Sequence, residues 1–434
     1  MTNTLTKLLQ QEKNVREGAD LWQKTPGPLQ LTGLTGSVKA GFLCALQETV
    51  QAAQTLVILT VNRESIRAQR RELAHFYPDL AMRELYPASL IHGQVDTRNE
   101  QVMAERAAAL EMIVRKEPGI IFATAEAAIQ KLPQPESLVR ENLKLAVGQE
   151  IEQSLVVEKL VKAGYERTEQ VDTLGQVAVR GDILDVFPIN GKDPVRIEWV
   201  DNTIDAMKRF DLDTQRSIGT ISQVGIMPLA VPNQEISASL FQYLSADQLA
   251  VLDEPVAFFE ECKKSWGDNR EFADQLLDQE TMIQQAGETH LLTVSDLGHP
   301  YFPQAPRIHV QVRAMAPYNK NTDLLQKDLK GWLDQGIHPL IMMGTRDKAA
   351  GLAESLKGAG LPMAFAGQFQ GVPETGGQVF AGSLTNGFYF WDEKWLLLTE
   401  SDIFGAQKKR RLTKTKGKGP ALNYFSDIKA GDYV

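Results

Sequence analysis

Gly33-Leu-Thr-Gly-Ser-Val-Lys-Ala40 has the length of a phosphate-binding loop, G-x-x-x-x-G-K-[ST], and keeps its first glycine and its lysine. In such a loop, backbone N–H groups cradle phosphate oxygens, the lysine neutralises them and the final hydroxyl residue ligates Mg²⁺. Val38 stands where the second glycine belongs, and its Cβ hinders close backbone approach. Ala40 replaces the hydroxyl residue and has no oxygen to offer a metal. Asp253-Glu254 follows the apolar run Leu249-Ala-Val-Leu252, as a Mg²⁺-holding and water-orienting pair would. Taken singly, these are a glycine-rich turn and two surface acids. Taken together, Gly33, Gly36, Ser37, Val38, Lys39, Ala40, Asp253 and Glu254 read as a nucleotide site retained by a fold and then disabled. ATP hydrolysis by this chain is not expected.

A second group of charges lies on a strand-like meander: Val179-Arg-Gly-Asp-Ile-Leu-Asp-Val-Phe-Pro188, Pro194-Val-Arg-Ile-Glu-Trp199, and Arg209 to Ser217. Period two puts Val195, Ile197 and Trp199 on one face and Arg196, Glu198 and Val200 on the other. Asn190-Gly191 is a hairpin signal, and a turn centred there brings Arg180 beside Arg196. On pattern alone such residues read as a solvated, cross-strand-paired polar face. No other group suggests chemistry. The histidines have no metal-ligand spacing with Cys44 or Cys262, so no metal is expected, and no nucleophile motif is present.

The elements that must carry these residues alternate for most of the chain. Leu56 to Val61 and Gly119 to Thr124 read as buried parallel strands, with a helix over Asn99 to Arg115 between them. A helix from Ile151 to Ala163 ending at Gly164, then strand-like runs at 176–187, 195–200 and 203–210, form a small α+β module. Leu249 to Pro255 reads as a strand running into a loop, and His299 to Pro306 as a Pro-rich linker. Beyond it, a helix at 323–335, a strand at 339–344 and a helix at 348–357 resume the alternation. The expected class is α/β and multidomain. A parallel-sheet domain (1–132 and 215–300) carries the inserted α+β antiparallel module (133–214). A small α/β domain (307–405), a basic linker (406–424) and a last short piece (425–434) follow.

Composition sets the outer limits. The 434 residues suggest about three domains, and 43% hydrophobic with 23% charged is globular composition. The net charge is −9 from 46 basic and 55 acidic residues. Seven of the basic residues crowd into 408–418, leaving 39 against 55, or −16, elsewhere. A body that acidic argues against broad nucleic-acid binding, although 408–418 itself could touch DNA. Two cysteines exclude a disulfide framework and favour a cytoplasmic location; no signal peptide or 18-residue apolar stretch is present, so no membrane partner is expected.

Gly164-Tyr-Glu-Arg167, Val179 to Pro188, Val195-Arg-Ile-Glu198 and Phe210-Asp-x-x-Thr-Gln-Arg-Ser217, in this order and spacing, resemble the bacterial transcription-repair coupling factors and their relative, the excinuclease subunit UvrB. The degraded loop at 33–40 favours the coupling factors, since UvrB keeps an intact one. Arg313-Ala-Met-Ala-Pro-Tyr-Asn319 and Leu398-Thr-Glu-Ser-Asp-Ile-Phe404 resemble the coupling-factor domain that follows. Ile428 to Val434 resembles the opening of the RNA-polymerase-interaction domain, which makes the chain look like an N-terminal piece lacking the motor.

The resemblance implies a RecA-like (P-loop NTPase-like) first domain and a module that recruits UvrA to stalled RNA polymerase. In the parent, an intramolecular C-terminal domain covers that surface. The parent would be an ATP-dependent double-stranded DNA translocase, with ATP and Mg²⁺ in its motor and no cofactor in this piece. The family's contact arginines fall on Arg180 and Arg196, and an aromatic contact falls on Val200. Alternatives are a UvrB-like DNA-repair ATPase and an autoinhibitory scaffold for the motor.

Overall fold

The computed structural model describes residues 4–50, 55–88, 90–91, 94–95, 100–140, 142–228, 236–296 and 301–405. The basic tract 408–418 and the expected segments 406–424 and 425–434 lie outside the described residues.

Seven parallel strands make the central sheet, in the order Arg307–His309, Leu29–Thr32, Leu292–Ser295, Leu249–Asp253, Thr55–Thr60, Gly119–Thr124, Met82–Leu85. Its inner strands are apolar runs because both faces are covered. Period two then sorts their residues into two cores. Val57, Leu59, Ile121, Ala123, Ala250 and Leu252 share one core with the inserted module. Leu56, Ile58, Ile120, Phe122, Leu249 and Val251 share the other with the N-terminal helices and the following domain. The chain is thus α/β, with a parallel sheet that shares one core with a module antiparallel except for the parallel edge pair Glu166–Thr168 and Gln176–Arg180, and the other core with the N-terminal helices and the last domain.

The module is a six-stranded sheet ordered Ser217–Thr220, Thr203–Phe210, Val195–Val200, Ile183–Val186, Gln176–Arg180, Glu166–Thr168. The expected single run over 176–187 is two strands. Gly181-Asp182 turns the chain between Arg180 and Ile183, with Gly181 at φ +58°. A residue with φ > 0 favours glycine, and the alternation of apolar residues continues on both sides of the turn, which hides it from a periodicity reading. Asn190-Gly191 lies in an eight-residue connection between Val186 and Val195, which pair across it. Val195, Ile197, Trp199, Ile204 and Met207 pack inward against Val156 and Leu160 of the helix Gln153–Lys162. The Trp199 indole N–H donates to the Ile151 carbonyl at 2.9 Å.

The last sheet is mixed, in the order Val312–Ala314, Phe388–Phe390, Trp395–Thr399, His338–Met343, Gly377–Ala381, Met363–Ala366. Leu340, Met342, Phe380, Phe388 and Leu397 lie in the same core as the central sheet. No helix among the described residues is long and apolar enough to cross a membrane.

Candidate functional site

Leu29–Thr32 runs into the loop 33–35 and then the helix Gly36–Val50. Gly33 has φ +86°, and a Cβ there would lie 2.5 Å from the Val310 carbonyl oxygen, so only glycine fits. Gly36 has φ +59°. Val38 is buried in the core, and Ala40 is nearly so.

The strand Leu249–Asp253, separated from Leu29–Thr32 by Leu292–Ser295, meets the helix Pro255–Asp268 at Glu254, which adopts the left-handed conformation at φ 50°. Proline at the first helical position suits that abrupt start, and the expected loop is this single residue. Asp253 and Glu254 are thereby carried to Lys39. The Lys39 ammonium donates to Asp253 at 2.6 Å and to Glu254 at 3.3 Å. Asp253 is almost fully buried and also accepts from Gln69 at 2.5 Å and Thr60 at 3.3 Å. Burial alone would lower the Lys39 pKa, but Asp253 and then Glu254 raise it, and the net direction is upward.

A loop from the last domain reaches the same place. The Asn386 N–H donates to the Ser37 hydroxyl at 2.9 Å, and the Asn386 Oδ1 lies 3.4 Å from where a Gly36 Cβ would sit. The backbone N–H and hydroxyl of Thr385 both donate to the Glu72 carboxylate. Ser37, Lys39, Gln69, Glu72, Thr385 and Asn386 line a cavity of about 300 Å³. Gln69, Glu72, Thr385 and Asn386 carry no motif, so nothing in the sequence pointed to them. At this site the lysine is paired with Asp253 and Glu254, Ala40 offers no oxygen, and Asn386 is bonded to Ser37 at the start of the helix.

The second group of charges comes together on the outer face of the module. The strand register pairs Asp185 with Arg196 and Ala178, and Ile183 with Glu198 and Arg180, so Arg180 and Arg196 share one face. Asp185 is 1% exposed and lies between them. It accepts from Arg196 Nε at 2.7 Å, Arg196 Nη2 at 2.9 Å and Arg180 Nη2 at 2.8 Å. The hydrogen bond to Asp185 pushes the Arg196 pKa up. Arg196 also stacks over the Phe210 ring at 4.8 Å. Glu198 pairs with Lys208 at 2.8 Å. The Arg180 side chain is 52% exposed and that of Arg196 20%. Val200 is exposed at the end of this row.

Comparison with known proteins bears on this module first. Residues 143–230 match the family described as UvrB interaction domain. The transcription-repair-coupling factor of Bacillus subtilis strain 168 is 30% identical over 199 residues, which are 46% of this chain and 17% of that protein. The transcription-repair-coupling factor of Staphylococcus aureus strain Mu50 is 20% identical over an alignment covering 93% of this chain and 41% of that protein. The chain spans less than half the length of these curated relatives. Among solved structures, a DEAD box protein from the hyperthermophile Methanococcus jannaschii is 10% identical, covers 85% of this chain and 73% of that chain, and has a TM-score of 0.30. At that score the likeness adds nothing to the strand order given above. Residues 143–230 are thus similar to the UvrB interaction domain family, and the chain is similar, along most of its length, to the transcription-repair-coupling factors.

Proposed function

We propose that the module is a docking surface for UvrA. Through it the chain recruits excision repair to a stalled RNA polymerase, while the site around Lys39 takes no part in ATP hydrolysis. The observation that carries this reading is the pair of arginines, Arg180 and Arg196, presented together on the outer face of a sheet whose inner face is core. A guanidinium is suited to this task because its planar fork binds carboxylates in fixed geometry. Val200 adds an exposed apolar contact at the rim of the same face. The task needs no covalent step, since docking turns on complementary charge and shape. The translocation of double-stranded DNA and contact with RNA polymerase belong, in this reading, to the parts of the relatives that the chain does not span.

The test is titration of UvrA from the same organism against the native chain and the variants Arg180→Glu and Arg196→Glu. Saturable binding by the native chain, weakened about tenfold or more in each variant when all are titrated below the variants' own melting temperatures, is the expected result; some loss of stability is expected in both because each substitution places a like charge beside the buried Asp185. Equal affinity in native and both variants overturns the assignment.

A further inference from the structure

An arginine alone on a sheet surface samples many rotamers, and fixing it on binding weakens a complex. Neither arginine of the docking face is in that condition. One buried carboxylate, Asp185, takes three hydrogen bonds from the two guanidinium groups at 2.7–2.9 Å. Arg196 spends its Nε and one hydrogen of Nη2 on Asp185 and rests on Phe210, so its Nη1 hydrogens remain for a partner. Arg180 spends only one Nη2 hydrogen. At 1% exposure Asp185 cannot itself touch a docked protein. The three groups carry net charge +1, and the adjacent Glu198–Lys208 pair is neutral.

We propose that Asp185 is the positioning residue of the docking face, holding Arg180 and Arg196 as a preset pair of donors for a single carboxylate on the partner. The inference rests on the docking reading above and adds the partner's chemistry: one acidic side chain at this point, not an acidic stretch. Preset donors lose little side-chain freedom on binding, and a planar fork aimed by a buried acid confers a geometry that charge alone does not.

The experiment is titration of UvrA against the native chain, Asp185→Asn, Arg196→Ala, the double variant of these two, and Arg196→Lys, each with a melting curve. Asp185→Asn should weaken binding about tenfold or more, because it loosens both arginines. Its effect should shrink markedly in the Arg196→Ala background, since half of what Asp185 positions is then gone. Arg196→Lys keeps the charge but not the fork, and should bind nearly as weakly as Arg196→Ala. Three results would each overturn the inference: native affinity in Asp185→Asn, the same loss factor in both backgrounds, or native affinity in Arg196→Lys. If Asp185→Asn melts below the working temperature, the Arg196→Lys comparison decides. Failure of the native chain itself to bind overturns the docking reading instead.

Discussion

Lys39 shows how the same residue type changes role when its surroundings change. In a working phosphate loop the lysine ammonium faces phosphate. Here it is the cationic half of an ion pair with Asp253, with side-chain exposures of 15% and 7%. Removing one partner of a buried pair leaves the other charge uncompensated. Lys39→Met should therefore lower unfolding stability by about 2–4 kcal/mol, less than the full cost because Gln69 and Thr60 still donate to Asp253. Urea unfolding measures this directly. A fluorescent ATP analogue should bind neither the native chain nor the variant. Native stability in Lys39→Met would place the ion pair among those that contribute nothing, and micromolar binding of the analogue would reopen the nucleotide site.

At the scale of elements, the loop Thr385–Asn386 depends on its neighbour Gly387. A Cβ on Gly387 would lie 2.1 Å from the Leu397 carbonyl oxygen and 2.6 Å from Asp402 Oδ2, so the backbone packs where no side chain fits. The Gly387 N–H also donates to Asp402 at 2.7 Å, and Asp402 is in turn the partner of the N-cap Thr399 in the capping box of the helix Glu400–Phe404. Gly387→Ala should cost about 1–3 kcal/mol by forcing the loop off its seat on Ser37 and Glu72. Thermal unfolding checks the stability, and hydrogen exchange at Asn386 checks the seat. An unchanged melting curve would mean the loop shifts freely. This loop was not legible in the sequence because Thr385-Asn386 belongs to no periodic run. Its partners lie more than 300 residues away. The strands around it were legible: Gly119–Thr124 has the expected bounds, and His338–Met343 is displaced by one residue from the expected run. The hairpin turn at Gly181 was missed because two residues of turn do not disturb a period of two.

Across the whole molecule, the N-terminal segment and the last domain meet at Glu12. Burial pushes its carboxyl up to about 8, and the nearby Glu393 and Asp392 push in the same direction. A carboxyl whose folded pKa is raised binds its proton more tightly in the folded state. Its stabilising contribution is fully present below the unfolded value of 4.5, falls as pH rises, and is lost by about 8. Glu12→Gln removes the titration, so the variant should hold its melting temperature between pH 5 and 8 where the native chain loses some. Parallel melting curves of native and variant across that range would show that Glu12 does not titrate there. The sequence by itself determined the alternation of strands and helices, the antiparallel module and the separation of Arg196 from Trp199 onto opposite faces. These follow from local period and turn chemistry, which act over a few residues. Only the tertiary structure decided that Lys39 pairs with Asp253, that Asn386 covers Ser37, and that one buried aspartate aims two arginines. Each of these joins side chains brought together by the order and register of strands, and no local pattern encodes which buried charge will meet which.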